Sequence, residues 1–188
     1  MLTSPYTNHP QSEWYGITTR LVTEFPLSSK LLVSTVHQAW DDIYTSSFGN
    51  GSLVIGRDIF LPAQATGVIL ERLIGVRLAR TVKGWRSGDR KTEKDVVCTT
   101  DSSFSFEIKT SSSKNGLYGN RSTGHHAESR TKFRTGYYLV INYKLPTETD
   151  VSRRIWLIRF GWIDDEDWGR PGAAYRPASF YRYECSAF

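Results

Sequence analysis

Asp95, Glu107 and Lys109 lie close together near the middle of this 188-residue chain. Asp95-Val96-Val97-Cys98 has the composition of a short strand. Thr99 to Ser103 carries the Asp and hydroxyl residues of a turn. Phe104 to Lys109 then alternates as a second strand: Phe104, Phe106 and Ile108 share one face, Ser105, Glu107 and Lys109 the other. A hairpin would return Asp95 to within a position or so of the Glu-x-Lys pair. Two carboxylates and an ammonium at one place are the parts that metal-assisted phosphodiester hydrolysis needs. Carboxylate oxygens hold one or two Mg²⁺ ions. A bound metal makes hydroxide available near neutral pH, and a cation beside the phosphate offsets the added charge. The competing reading is an exposed strand face with a cross-strand ion pair. Asp101 is a further ligand by type, but its turn position puts it at the far end of the hairpin.

The run Lys94-Asp95-Val96-Val97, hairpin, Phe106-Glu107-Ile108-Lys109-Thr110-Ser111-Ser112 resembles the PD-(D/E)XK motif of type II restriction endonucleases. With Gly119-Asn120-Arg121-Ser122 and Arg159-Phe160-Gly161-Trp162-Ile163-Asp164 added, it resembles the ScaI-like group in particular, over roughly residues 60–168. The resemblance implies a homodimeric Mg²⁺ enzyme that cuts both strands of a short palindrome in double-stranded DNA. It assigns metal binding to Asp95 and Glu107 and the positioning or activation of water to Lys109. A further acidic residue on an earlier helix often completes such sites, and Glu71 is the match. Lys94 stands where the motif's Pro would be, a departure common among these enzymes. A repair nickase or junction resolvase would share fold and chemistry; a non-catalytic nucleic-acid-binding protein would use Glu and Lys only as a pair.

Positioning these residues takes a sheet and helices. Leu31, Leu32, Thr35, Val36, Ala39, Trp40 and Ile43 follow the spacing of one helical face after Pro26. Gly49 to Gly51 breaks the pattern, and Ser52 to Ile55 is a possible short strand. Pro62 starts a second helix that runs to about Arg80 and contains Glu71, an acid in an apolar stretch that needs a partner if buried. Gly84 to Arg90 reads as a loop. Tyr137 to Tyr143 and Ile155 to Ile163 read as central strands joined by a turn around Pro146 to Asp150. Helices followed by strands give an α/β (α+β) chain with a central mixed β-sheet flanked by helices, a restriction-endonuclease-like core. Residues 1–25 read as an N-terminal arm, and 26–188 as a single nuclease domain with its core at about 60–168.

Net charge is +5, and from Arg72 to Lys94 eight Lys and Arg residues face only Asp89 and Glu93, so a basic face toward a polyanion is expected. Lys114, Asn115, Asn120, Arg121 and Ser122 follow the Glu-x-Lys strand. They either approach DNA, where Arg reads guanine and Asn adenine, or form a solvated Gly/Ser-rich loop. His125 and His126 are adjacent and lack zinc-site spacing. Asp164 to Asp167 reads as a solvated helix start. No glycine-rich phosphate loop is present, so no nucleotide cofactor is expected. Two cysteines fit a reducing compartment. No signal-peptide core or membrane-length apolar run is seen, so a cytoplasmic protein of a prokaryotic cell is expected.

Overall fold

The two long apolar runs form the middle of the sheet. In the computed structural model, which describes residues 3–90, 92–116, 135–164, 167 and the backbone of 181–184, they are strands Gly136–Lys144 (β6) and Arg154–Ile163 (β7). They pair antiparallel, with a register shift between Asn142 and Tyr143. Ahead of them come Ser47–Phe48 (β1) and Leu53–Val54 (β2), a separate small hairpin, then Trp85–Ser87 (β3), Val96–Cys98 (β4) and Phe106–Ser111 (β5). Tyr181–Glu184 (β8) closes the far edge. Among the described residues the large sheet has the order β3-β4-β5-β6-β7-β8. It is mixed, because β5 and β6 run parallel while the other neighbours are antiparallel.

Three α-helices lie among the described residues: Trp14–Glu24 (α1), Ser29–Thr45 (α2) and Ala63–Thr81 (α3). Ser28 caps α2 by accepting from the Leu31 N–H. Pro62, expected as the first helical residue, is instead the cap residue of α3, which starts at Ala63. α2 and α3 are tied by a two-pronged ion pair, Arg77 Nε to Asp42 Oδ2 at 2.5 Å and Nη2 to Oδ1 at 2.6 Å. The core is one cluster that joins Leu32, Val36, Leu70, Ile74 and Leu78 of the helices to Phe106, Ile108, Leu139, Ile141, Ile158 and Phe160 of the sheet.

Several short segments differ from the sequence reading, among them Ser102–Phe104, a 3-10 turn where Phe104 is expected to open the second strand, which begins at Phe106. Gly84 to Arg90 is not all loop: Trp85–Ser87 pairs with Val96–Cys98, and Trp85 is buried. The segment read as an arm contains α1, whose Ile17, Thr18 and Val22 are buried, followed by the buried Phe25. Asp164 is likewise more than a solvated helix start. It accepts from Trp162 Nε1 at 2.8 Å and from the Ser4 hydroxyl, tying the chain's beginning to the end of β7. No helix among the described residues is long and apolar enough to cross a membrane.

Candidate active site

β4 and β5 meet in register only at Val96↔Phe106. One step further along the antiparallel pair brings Asp95 level with Glu107. There the backbone ladder gives way to a side chain: Asp95 Oδ2 accepts the Ile108 N–H at 2.8 Å. Ile108 is the residue between Glu107 and Lys109, so this bond pins the Asp95 carboxylate to the strand that carries the other two. Lys109 Nζ lies 3.2 Å from Glu107 Oε1. The period-two alternation puts Glu107 and Lys109 on the face opposite Phe106 and Ile108, both of which belong to the core. Glu107 is nevertheless buried and Lys109 half-buried, so their charges act through a medium less screening than bulk water.

Asp95 is held from its own side as well. Gly88 N donates to the Asp95 carbonyl at 2.9 Å, and the Gly88 carbonyl accepts from Arg72 Nη1 at 2.9 Å. A Cβ on Gly88 would fall 2.0 Å from the Lys94 carbonyl oxygen, so only glycine lets β3 run this close to the Asp95 backbone. Arg86 grips Glu93 with two guanidinium nitrogens at 2.6 and 3.0 Å, which fastens the turn leading into Lys94 and Asp95. That contact holds the Glu93 carboxyl well below its ordinary range.

Glu71 comes from α3. It lies on one helical stripe with Gly67 and Gly75, at four-residue spacing on either side. Both glycines press against the sheet: a Cβ on Gly67 would meet the Thr110 hydroxyl of β5 at 2.4 Å, and one on Gly75 the Ser87 hydroxyl of β3 at 2.3 Å. The stripe brings Glu71 close enough to feel Asp95, Lys109 and Glu107. Burial first, then repulsion from Asp95, pushes its pKa up to about 7, against weaker pulls from Arg72 and Lys109. Asp95, Glu107 and Lys109 are thus held together by direct bonds, and Glu71 lies near enough for their charges to act on it.

This placement predicts a pH-dependent effect on stability. Glu71 has its folded pKa raised above the unfolded value of 4.5, so the native state binds the proton more tightly. Ionising it costs stability as pH rises from the unfolded value through about 7. Glu71→Gln should be more stable than the parent at pH 8 without metal, by about 1–2 kcal/mol after allowance for the solvent that still reaches the side chain. The gain should vanish near pH 4, where both states carry the proton. Urea melts at pH 4 and pH 8 check this; an equal difference at both values would disprove the electrostatic origin.

Asp101 sits in the turn as expected, accepting from the Ser103 N–H at 2.9 Å. Lys114 and Asn115 are exposed just past β5. Asn120, Arg121, Ser122, His125 and His126 lie outside the described residues. Cys98 is buried in β4, as a small apolar residue would be. Arg72 and Gly88 hold Asp95 through contacts between α3, the end of β3 and β4 that no local sequence pattern marks. Among the described residues no group of three or more His, Cys, Asp or Glu side chains is arranged to hold a metal ion. Asp95 and Glu107 are a pair of carboxylates that could hold such an ion. That suits Mg²⁺, which is commonly bound through one or two carboxylates and completes its shell with waters and substrate phosphate oxygens.

The chain matches the family model described as ScaI restriction endonuclease over residues 4–176. It is 36% identical over 167 residues, covering 88% of this chain and 73% of the relative, to the type II restriction enzyme ScaI of Streptomyces caespitosus. The family match begins far ahead of residue 60, where the motif resemblance starts, and takes in α1 and α2. No solved structure matches the chain.

Proposed function

Because this chain belongs to the ScaI restriction endonuclease family and is a site-specific DNA-cleaving enzyme, we propose that it hydrolyses both strands of a short palindrome with Asp95, Glu107, Lys109 and Glu71 as its active site. The observation that carries the assignment is the Asp95 carboxylate bonded to the peptide N–H between Glu107 and Lys109. Asp95 and Glu107 would hold one or two Mg²⁺ ions. When bound, the metal supplies a hydroxide near neutral pH and positive charge at the phosphate.

The rest of the chemistry belongs to the chain's own groups. Lys109, beside Glu107, donates hydrogen bonds to the water that attacks phosphorus or to a phosphate oxygen, and its charge offsets that developing in the transition state. The Ile108 N–H fixes the Asp95 carboxylate before substrate arrives, so little reorganisation is left for the reaction itself. Glu71, drawn toward its proton in the free protein by burial and by Asp95, would add a third acidic group to the site once ionised. Lys114, Asn115, Asn120, Arg121 and Ser122 would lie against the DNA. Two copies related by a two-fold axis would match the symmetry of a palindrome and cut one strand each.

Incubation of the protein with plasmid or phage DNA, with Mg²⁺ and with chelator, tests the reading. Discrete fragments that need Mg²⁺ are expected, with both strands cut at one sequence when the ends are mapped. Products nicked in a single strand, or cutting confined to branched DNA, would replace this assignment with another activity of the same chemistry.

A further inference from the structure

β6 is apolar along most of its length, yet Asn142 within it is completely buried. Its side-chain amide donates to the Ser113 carbonyl and to the Gly116 carbonyl, each at 2.8 Å. Its Oδ1 accepts from Arg159 Nη2 at 2.8 Å, and that nitrogen is also 3.5 Å from the Asn115 carbonyl. Arg159, on β7, is itself 5% exposed. Two strongly polar side chains have thus been taken out of water, a cost recovered only through such bonds. Three of the acceptors are backbone carbonyls of one short segment, residues 113–116.

That segment leaves the strand carrying Glu107 and Lys109. Ser111 of β5 pairs with Asn142, and Lys109 lies in one cross-sheet row with Val140 and Arg159. The segment is braced internally as well: Ser113 N donates to Ser111 Oγ and Gly116 N to Ser113 Oγ, both at 3.1 Å. Its backbone is held from inside, while the Lys114 and Asn115 side chains stand exposed.

We propose that Asn142 and Arg159 are positioning residues for DNA recognition: a buried clamp that fixes the backbone of residues 113–116 and so aims Lys114 and Asn115 at duplex DNA in step with the catalytic strand. The inference rests on the proposed function. Neither residue touches the reacting phosphate. Their effect reaches the DNA through the segment they hold, so loosening it degrades discrimination between sequences more than the chemical step.

The test is Asn142→Asp. The replacement has the same size and keeps an acceptor for Arg159, but it loses both donors, so the Ser113 and Gly116 carbonyls face a carboxylate. Ser113→Ala, which removes only the brace to Gly116 N in a partly exposed segment, is the companion variant. The wild-type protein first maps its own site by cleavage. Affinity for that duplex, and for duplexes changed at one base pair, is then read by fluorescence anisotropy in Ca²⁺. Single-turnover cleavage in Mg²⁺ and thermal melting accompany each variant. For Asn142→Asp, we expect affinity for the mapped site to fall by roughly tenfold or more and the cognate-to-altered ratio to shrink by a similar factor. The cleavage rate at saturating DNA should change by less than about threefold. Ser113→Ala should move both binding readouts the same way, by roughly threefold. If Asn142→Asp does not fold, Ser113→Ala decides. Wild-type protein that cuts specifically, with folded variants keeping wild-type affinity and discrimination, overturns the clamp alone. So does a loss confined to the cleavage rate. Wild-type protein without specific cleavage overturns the functional reading and the clamp with it.

Discussion

Asp95→Asn and Glu107→Gln are each expected to lower single-turnover DNA cleavage by at least about a thousandfold while leaving DNA binding in place. Each change keeps the size and an oxygen acceptor of the original side chain. In the first variant the new amide oxygen would still accept the Ile108 N–H, so the β4–β5 junction survives. In the second the new amide oxygen would still accept from Lys109. What disappears is one negative charge from a pair that has to hold a divalent cation. For Asp95→Asn the fold gains from the loss, because Asp95 is the foremost charge raising the Glu71 pKa, whereas Glu107→Gln also gives up the charge that Lys109 pairs with. The melting temperature of Asp95→Asn should therefore hold or rise, and the affinity of both variants for DNA in the absence of metal should hold or tighten, since one repulsion against phosphate is gone. This combination separates a catalytic role from a structural ion pair, which would predict lower stability and little effect on rate. Cleavage by either variant within about tenfold of wild type would remove that residue from the active site.

The hairpin carrying this site could be read in the sequence because its signals are local. Alternation read over Phe104 to Lys109, which holds from Phe106 onward, sets which residues share a face, and a turn between two strand-like runs sets which ends meet. The central strands were legible as two long apolar runs, and α2 and α3 as helical patterns. Other parts were hidden for identifiable reasons. β3 is three residues between Gly84 and Gly88, and it is a strand only because β4 supplies its partner. Asn142 and Arg159 look like polar interruptions of apolar strands until the segment they hold is placed beside them. The role of Gly67 and Gly75 depends on a sheet that the helix sequence does not contain. α1 was obscured by its threonines, whose branched side chains and hydroxyls weaken a helical pattern. In the folded protein Thr18, Thr19 and Thr23 donate to the carbonyls of Trp14, Tyr15 and Thr19, four residues earlier. A helix of this composition has little stability alone and persists because Ile17, Val22 and the following Phe25 are buried.

Phe25 tests whether that N-terminal segment is cover or core. It is 5% exposed and forms the centre of a ring cluster. Its centroid lies 4.6 Å from Phe160, 4.7 Å from Tyr137, 5.7 Å from Phe104, 5.9 Å from Trp85 and 6.2 Å from Phe106. One side chain thus bridges β3, β5, β6 and β7 from the end of α1. Phe25→Ala should cost about 3–5 kcal/mol, the transfer of a buried aromatic plus the cavity it leaves, because the surrounding rings are anchored in four strands and close the void only in part. Phe25→Leu fills part of the space and should cost roughly half as much. Urea unfolding checks both: the midpoint should fall in the order wild type, Leu, Ala, with the slope unchanged. An arm lying loosely on the surface would give an Ala variant within about 0.5 kcal/mol of wild type. The effect should also reach the active site, since Phe106 precedes Glu107 on β5 and packs against the lost ring. At temperatures where the Phe25→Ala protein is still folded, its cleavage rate should fall. Phe25→Leu should recover part of that rate along with part of the stability, because a single strand transmits the same packing to both.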